Sequence, residues 1–193
     1  MTKIVFVRHG QGEHTLNPPN SLQIKDPKLT KDGVFQASRL ISELPLIESD
    51  IVITSPLRRT VETALLWSKE VKCKIIVNPL VGPRMFPQLP EGQTLPCDVL
   101  LSRKYLELEF PHLTYEANIS EEIWSNGINT LAEAKFNELA EKFILWCKQQ
   151  SNNRVYVVSH DGTITSYRQL ITGTKLTREA FLKETDWIEM VCC

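Results

Sequence analysis

Two histidines in this chain sit where they could do chemistry. Arg8-His9-Gly10 directly follows the apolar run Ile4-Val5-Phe6-Val7, and Ser159-His160-Asp161-Gly162 directly follows Val155-Tyr156-Val157-Val158. A third segment, Ser55-Pro56-Leu57-Arg58-Arg59-Thr60, comes after Ile51-Val52-Ile53 and supplies two guanidiniums. Brought together, these imidazoles and arginines would repel one another, because desolvated cations without a counter-charge are costly. A tetrahedral oxyanion such as phosphate removes that objection. Arginine grips it with a planar fork, and helix N-termini add N–H donors. Phosphoryl transfer needs such a cradle and an in-line nucleophile. Neutral imidazole is a competent nucleophile once its other nitrogen is hydrogen-bonded.

For these groups to meet, the elements carrying them must share an edge. The runs at residues 3–7, 51–53, 74–77 and 154–158 are short and β-branched, as expected of parallel strands covered on both faces. Helices alternate with them. Thr30 is placed to cap a helix to about Leu44, where Pro45 follows, and Ser55-Pro56 reads as the start of a helix to about Glu70. Thr130-Leu131-Ala132-Glu133 has capping-box spacing ahead of a long amphipathic helix, and another helix follows Gly162 and stops at Gly173. The alternation predicts an α/β fold: a three-layer sandwich with a mostly parallel central sheet. In such a sheet the carboxyl ends of the strands share one side, where ligands bind. A proline-rich stretch at residues 80–129, with a helix expected around residues 98–110, breaks the rhythm and reads as an inserted lobe over that edge. Residues 1–193 are expected to form a single domain around it.

Composition narrows the partners. With 193 residues, 42% hydrophobic and a net charge of −1, the chain has no global basic field for nucleic acid or an anionic membrane. No apolar run is long enough to span a bilayer, and Met1-Thr2-Lys3 leads straight into the first strand, so a cytoplasmic location is expected. The cysteines, Cys73, Cys97, Cys147, Cys192 and Cys193, lack paired zinc-ligand spacing. Cys192-Cys193 reads as the frayed end of a strand over residues 187–191, against the alternative of a prenylation tail.

Taken together, the motifs resemble the histidine phosphatase superfamily, the phosphoglycerate-mutase-like proteins, in its phosphatase branch. The resemblance rests on Arg8-His9-Gly10-Gln11, Asp26-Pro27-Lys28-Leu29-Thr30-Lys31-Asp32-Gly33, Ser55-Pro56-Leu57-Arg58-Arg59-Thr60 with Glu62-Thr63-Ala64, and Val157-Val158-Ser159-His160-Asp161-Gly162. It implies that His9 is the nucleophile and forms a phosphohistidine. Arg8, Arg59 and His160 would bind the transferring phosphoryl group, with Arg58 on the outer rim or surface. Gln11 belongs to the same motif, and Thr15 stands where many relatives carry a phosphate-binding asparagine. Asn17 follows two places later, so all three are candidate phosphate contacts.

The leaving alkoxide needs a proton from a carboxylic acid. The family's phosphatases often carry this glutamate six residues before a cysteine of the insertion. Leu89-Pro90-Glu91 ahead of Pro96-Cys97-Asp98 has that spacing and makes Glu91 the first choice. The alternative acid is Asp161, since the acid-phosphatase branch uses an aspartate directly after its second histidine. The resemblance implies a metal-independent phosphomonoesterase, with no cofactor, acting on a small phosphorylated substrate, a phosphoprotein being a further class. The alternatives are mutase-type phosphotransfer and a catalytically weak phosphate-binding or scaffold protein. Arg84, Arg103, Lys104 and His112 read mainly as solvated surface residues.

Overall fold

In a computed structural model of the chain, residues 2–150 and 154–192 are described. The apolar run after Met1 forms β1 (Thr2–Arg8), and the three other β-branched runs form β2 (Ile51–Thr54), β3 (Lys74–Val77) and β5 (Arg154–Ser159). With β4 (Thr114–Tyr115) and β6 (Trp187–Cys192) they make one sheet in the order β4-β3-β2-β5-β1-β6. Every pairing is parallel except that of β6, which lies antiparallel on β1.

Alternate residues of the strands face opposite helical layers, which is why these runs are apolar throughout. Ile4, Phe6, Val155 and Val157 pack with Phe136 and Phe143 of α5 (Glu133–Gln150) and with Ile164 and Tyr167 of α6 (Asp161–Thr172). Val5, Val7, Tyr156 and Val158 pack with Leu40 of α1 (Lys31–Glu43) and with Ala64 and Trp67 of α2 (Arg58–Trp67). The result is the expected three-layer α/β sandwich.

Several local expectations hold. The Thr30 hydroxyl caps α1 by accepting from Gly33 N at 3.0 Å. Gly173, at φ 67°, ends α6. Other helix starts differ from the expectation. Helix α2 begins at Arg58 rather than at Ser55-Pro56, and ends at Trp67 rather than near Glu70. The Ser55 hydroxyl is committed elsewhere, at 2.9 Å from the His160 ring. Helix α5 starts at Glu133, and the Thr130 capping box is unused, because a turn at residues 128–130 precedes it.

Residues 80–129 hold α3 (Arg103–Glu109), shorter than expected, and α4 (Glu121–Asn126). They also supply β4, a fifth parallel strand too short to show a sequence period. Leu106, Leu113 and Trp124 join Val61 of α2 and Val77 of β3 in their own cluster, which seats this stretch on the sheet edge. Cys192 ends β6, and Cys193 lies outside the described residues. Among the described residues no helix is long and apolar enough to cross a membrane.

Candidate active site

The strand order puts β5 between β2 and β1, so the three motifs emerge side by side. Arg8 is in register with Ser159, and Thr54 with Val158. Just beyond the strands, His9 N donates to Ser159 O at 3.0 Å and Ser55 N to Val158 O at 3.2 Å. Gly10 N donates to the Thr63 hydroxyl of α2, while Gly10 approaches α1 so closely that a Cβ would lie 2.6 Å from Gly33 O. Only glycine leaves room for that turn.

His9 is 2% exposed. Its Nδ1 lies 2.7 Å from Gly10 O, and a carbonyl only accepts, so Nδ1 carries the proton. The Nε2 lone pair is thereby freed, and it receives Arg59 Nε–H at a long 3.3 Å. The same guanidinium donates to His160 Nδ1 at 3.2 Å, which makes Nδ1 the acceptor and sends His160 Nε2–H to the Ser55 hydroxyl at 2.9 Å. Each imidazole thus has one tautomer fixed by its neighbours. The His9 and His160 rings stand 5.1 Å apart. Burial, and then the Arg59 charge, push both histidines well below their ordinary pKa, so both are neutral at neutral pH.

Arg59 is 1% exposed. Beyond its two histidines it donates to Cys97 O and to Asp98 Oδ1, both at 2.7 Å. Arg8 donates to Leu182 O at 2.7 Å and lies 3.2 Å from Asp161 Oδ2, and among the described residues its enclosed Nε has no hydrogen-bond partner. Asp161 also accepts from Gly162 N in the first turn of α6. The structure therefore brings Arg8, His9, Arg59, His160 and Asp161 together.

It does not bring in the remaining sequence candidates. Gln11 turns its Oε1 to the Thr30 hydroxyl at 2.8 Å, and Thr15 donates to Gly12 O at 2.9 Å. Asn17 is exposed. Glu91 is exposed in a turn, and among the described residues no hydrogen bond or ion pair joins it to the cluster. Three groups escaped the sequence reading. Ser55 before Pro56 has the pattern of a helix cap, Asp98 carries no signal beyond its neighbour Cys97, and the His14 ring stands 5.5 Å from that of His9.

Two arginines expected on the surface are buried. Arg58 pairs with Asp26 at 2.6 Å and with Glu109, with Tyr105 at 3.2 Å, because its position at the start of α2 faces loop and lobe together. Arg84 donates to Ile128 O and Leu131 O and crosses the Phe136 ring at 4.1 Å. It lines a cavity of about 510 Å³ between residues 84–88, α5 and α6, whose walls contain none of the cluster. Lys104 and His112 are exposed, and Arg103 lies over Trp124. Among the described residues no group of three or more His, Cys, Asp or Glu side chains could hold a metal ion.

Comparison with known proteins finds phosphatases. Residues 4–86 match the family model described as histidine phosphatase superfamily (branch 1). The chain is 41% identical over 77 residues to phosphoserine phosphatase 1 of Hydrogenobacter thermophilus, covering 39% of this chain and 36% of that protein. It is 29% identical over 116 residues to the protein named probable phosphatase SPAC513.02 of Schizosaccharomyces pombe, covering 59% and 52%. The chain thus spans about half, or less, of the curated relatives it matches. Among solved structures, the α-ribazole phosphatase of Shigella flexneri superposes with TM-score 0.63 at 22% identity, over 97% of this chain and 89% of that one. The phosphoserine phosphatase of Entamoeba histolytica, solved with 3-phosphoglyceric acid, gives 0.63 at 20% identity over 99% and 91%. These two structures share the fold.

Proposed function

We propose that this chain, whose residues 4–86 match the histidine phosphatase superfamily (branch 1), is a metal-independent phosphomonoesterase that works through a phosphohistidine on His9. One observation carries the reading: His9 presents an unprotonated Nε2 beside Arg59 and His160, with Nδ1–H tied to Gly10 O. The substrate phosphoryl group takes the place of the contacts that now satisfy Arg8 and Arg59. His9 Nε2 attacks phosphorus as the ester P–O bond breaks. Water then attacks the phosphohistidine, the P–N bond breaks, and phosphate leaves. Two guanidiniums, Arg8 and Arg59, supply the positive field that a metal supplies elsewhere.

For the acid, the geometry favours Asp161 over Glu91. Its carboxylate flanks Arg8, whereas Glu91 is exposed and makes no contact with the cluster. Phosphoryl binding to Arg8 frees Oδ2 to carry the proton to the leaving oxygen and then to accept one from the attacking water. The substrate class is a small phosphorylated molecule, in keeping with relatives named for phosphoserine and α-ribazole phosphate. A second reading, a phosphate binder of low turnover, draws on Asp98 and Asp161 both being held by the site's arginines.

Acid-labile phosphate trapped on His9 during turnover of a phosphomonoester, undiminished by chelator, supports the first reading. A His9→Ala chain of full activity overturns it. On substrates with poor leaving groups, Asp161→Asn should lose at least tenfold more activity than on good ones, while Glu91→Gln changes neither by more than about twofold. The reverse pattern would restore Glu91.

A further inference from the structure

Arg84 is a buried cation that the His9 cluster does not use. It is 6% exposed and lines the cavity of about 510 Å³ between residues 84–88, α5 and α6. Its Nη1 donates to Ile128 O at 3.0 Å and to Leu131 O at 2.8 Å, and its guanidinium lies 4.1 Å from the centre of the Phe136 ring. One edge of the fork is left over. Among the described residues Nε and Nη2 have no acceptor, yet neither is sealed off, so the cavity is the space they open on. A cation that only braced the turn at residues 128–131 would leave that edge unsatisfied in a buried place, which is costly. Glu133, the carboxylate among the lining residues, is exposed and makes no ion pair with Arg84. Burial lowers the Arg84 pKa to about 10, which leaves it cationic at neutral pH. Phe86, Leu170 and Leu176 supply apolar wall. A Cβ added at Gly173 would meet nothing within 4 Å, so the cavity is open at that rim.

We propose that this cavity is a second binding site, for a small molecule that carries one carboxylate on an apolar or aromatic body. A carboxylate matches the free Nε–Nη2 edge with two parallel N–H···O bonds, the pairing for which a planar guanidinium is shaped. The body lies against Phe86, Leu170 and Leu176, in a volume within the usual range of small-molecule sites, about 300–1,000 Å³. A single negative charge suits the place. Lys175 and Glu133, both exposed, offset each other at the rim, which leaves Arg84 as the net charge of the lining. A phosphate dianion would bring a second charge with no cation to meet it. The site is independent of the phosphatase reading, since no residue of the His9 cluster lines the cavity.

Phenylacetate is the probe and phenylacetamide its uncharged control, with binding to the full chain followed by NMR titration at neutral pH. Arg84→Met removes the fork. Because that change also strips Ile128 O and Leu131 O of their donor, Asn137→Trp is the second variant, filling the cavity from α5 with Arg84 left in place. Melting curves establish that each variant is folded. The site predicts that the acid binds at least about tenfold tighter than the amide. It also predicts that Asn137→Trp, and Arg84→Met where folded, each weaken the acid by at least about tenfold. No binding of the acid, a smaller preference over the amide, or a smaller effect of either folded variant overturns the proposal. Acid binding that survives Asn137→Trp would place the carboxylate elsewhere, on Arg8 and Arg59. The trapped phosphate on His9 judges the phosphatase reading alone and moves none of these outcomes.

Discussion

Arg59 has more partners than any other side chain in the cluster, and its charge adds to burial in keeping the histidines beside it neutral. His9 and His160 accept from it through lone pairs but, being neutral, bring it no counter-charge. The price is sensitivity to acid. His9, His14 and His160 all have folded pKa values below the ordinary 6.5, so below that pH the unfolded chain binds more protons than the folded one. Stability is therefore full above about pH 6.5 and falls as the pH drops, by up to about 1.4 kcal/mol per pH unit for each imidazole. Melting curves from about pH 7 to about pH 5 should show a falling Tm, less steep with saturating phosphate; a flat Tm would contradict the buried neutral imidazoles. His9, Arg8, His160 and an arginine of the Arg58-Arg59 pair were legible in the sequence because their residue types are costly to gather without an anion, and the family resemblance alone singles out Arg59. Ser55, Asp98 and His14 were not, since a serine before proline, an aspartate after cysteine and a loop histidine each have an ordinary reading.

At the scale of elements, α2 presents two adjacent arginines to different tasks. Arg59 enters the site, while Arg58 binds Asp26 of the loop before α1 and Glu109 at the end of α3. Side chains two positions from the start of a helix diverge by about 100° per residue, so neighbours in sequence point apart. Arg58→Met leaves two carboxylates without their cation. It should lower stability by about 2 kcal/mol, less than for a fully enclosed pair because both carboxylates keep some solvent. Urea unfolding measures this, and a change under about 0.5 kcal/mol would show that the triad does not hold the lobe. This triad could not be read from the sequence, because its members are separated by 32 and 51 residues. Strands β1, β2, β3 and β5 could be read, their apolar runs being set by burial on both faces. Strand β4 could not, since two residues carry no period.

At the scale of the molecule, the site depends on residues far apart along the chain. The family match ends at residue 86, before His160, Asp161 and the Leu182 carbonyl that holds Arg8. Strand β1 pairs on one side with β5 and on the other with β6, with Thr2 opposite Cys192. Contacts of such long sequence separation form slowly, because the loop they close must be ordered first. During synthesis, His9 is made well before either strand that flanks β1, since β5 and β6 both follow it in the chain. A growing chain thus carries His9 through the synthesis of every element between β1 and β5 before its neighbours can gather, and on the proposed reading phosphate binding becomes a mark that β6 has docked.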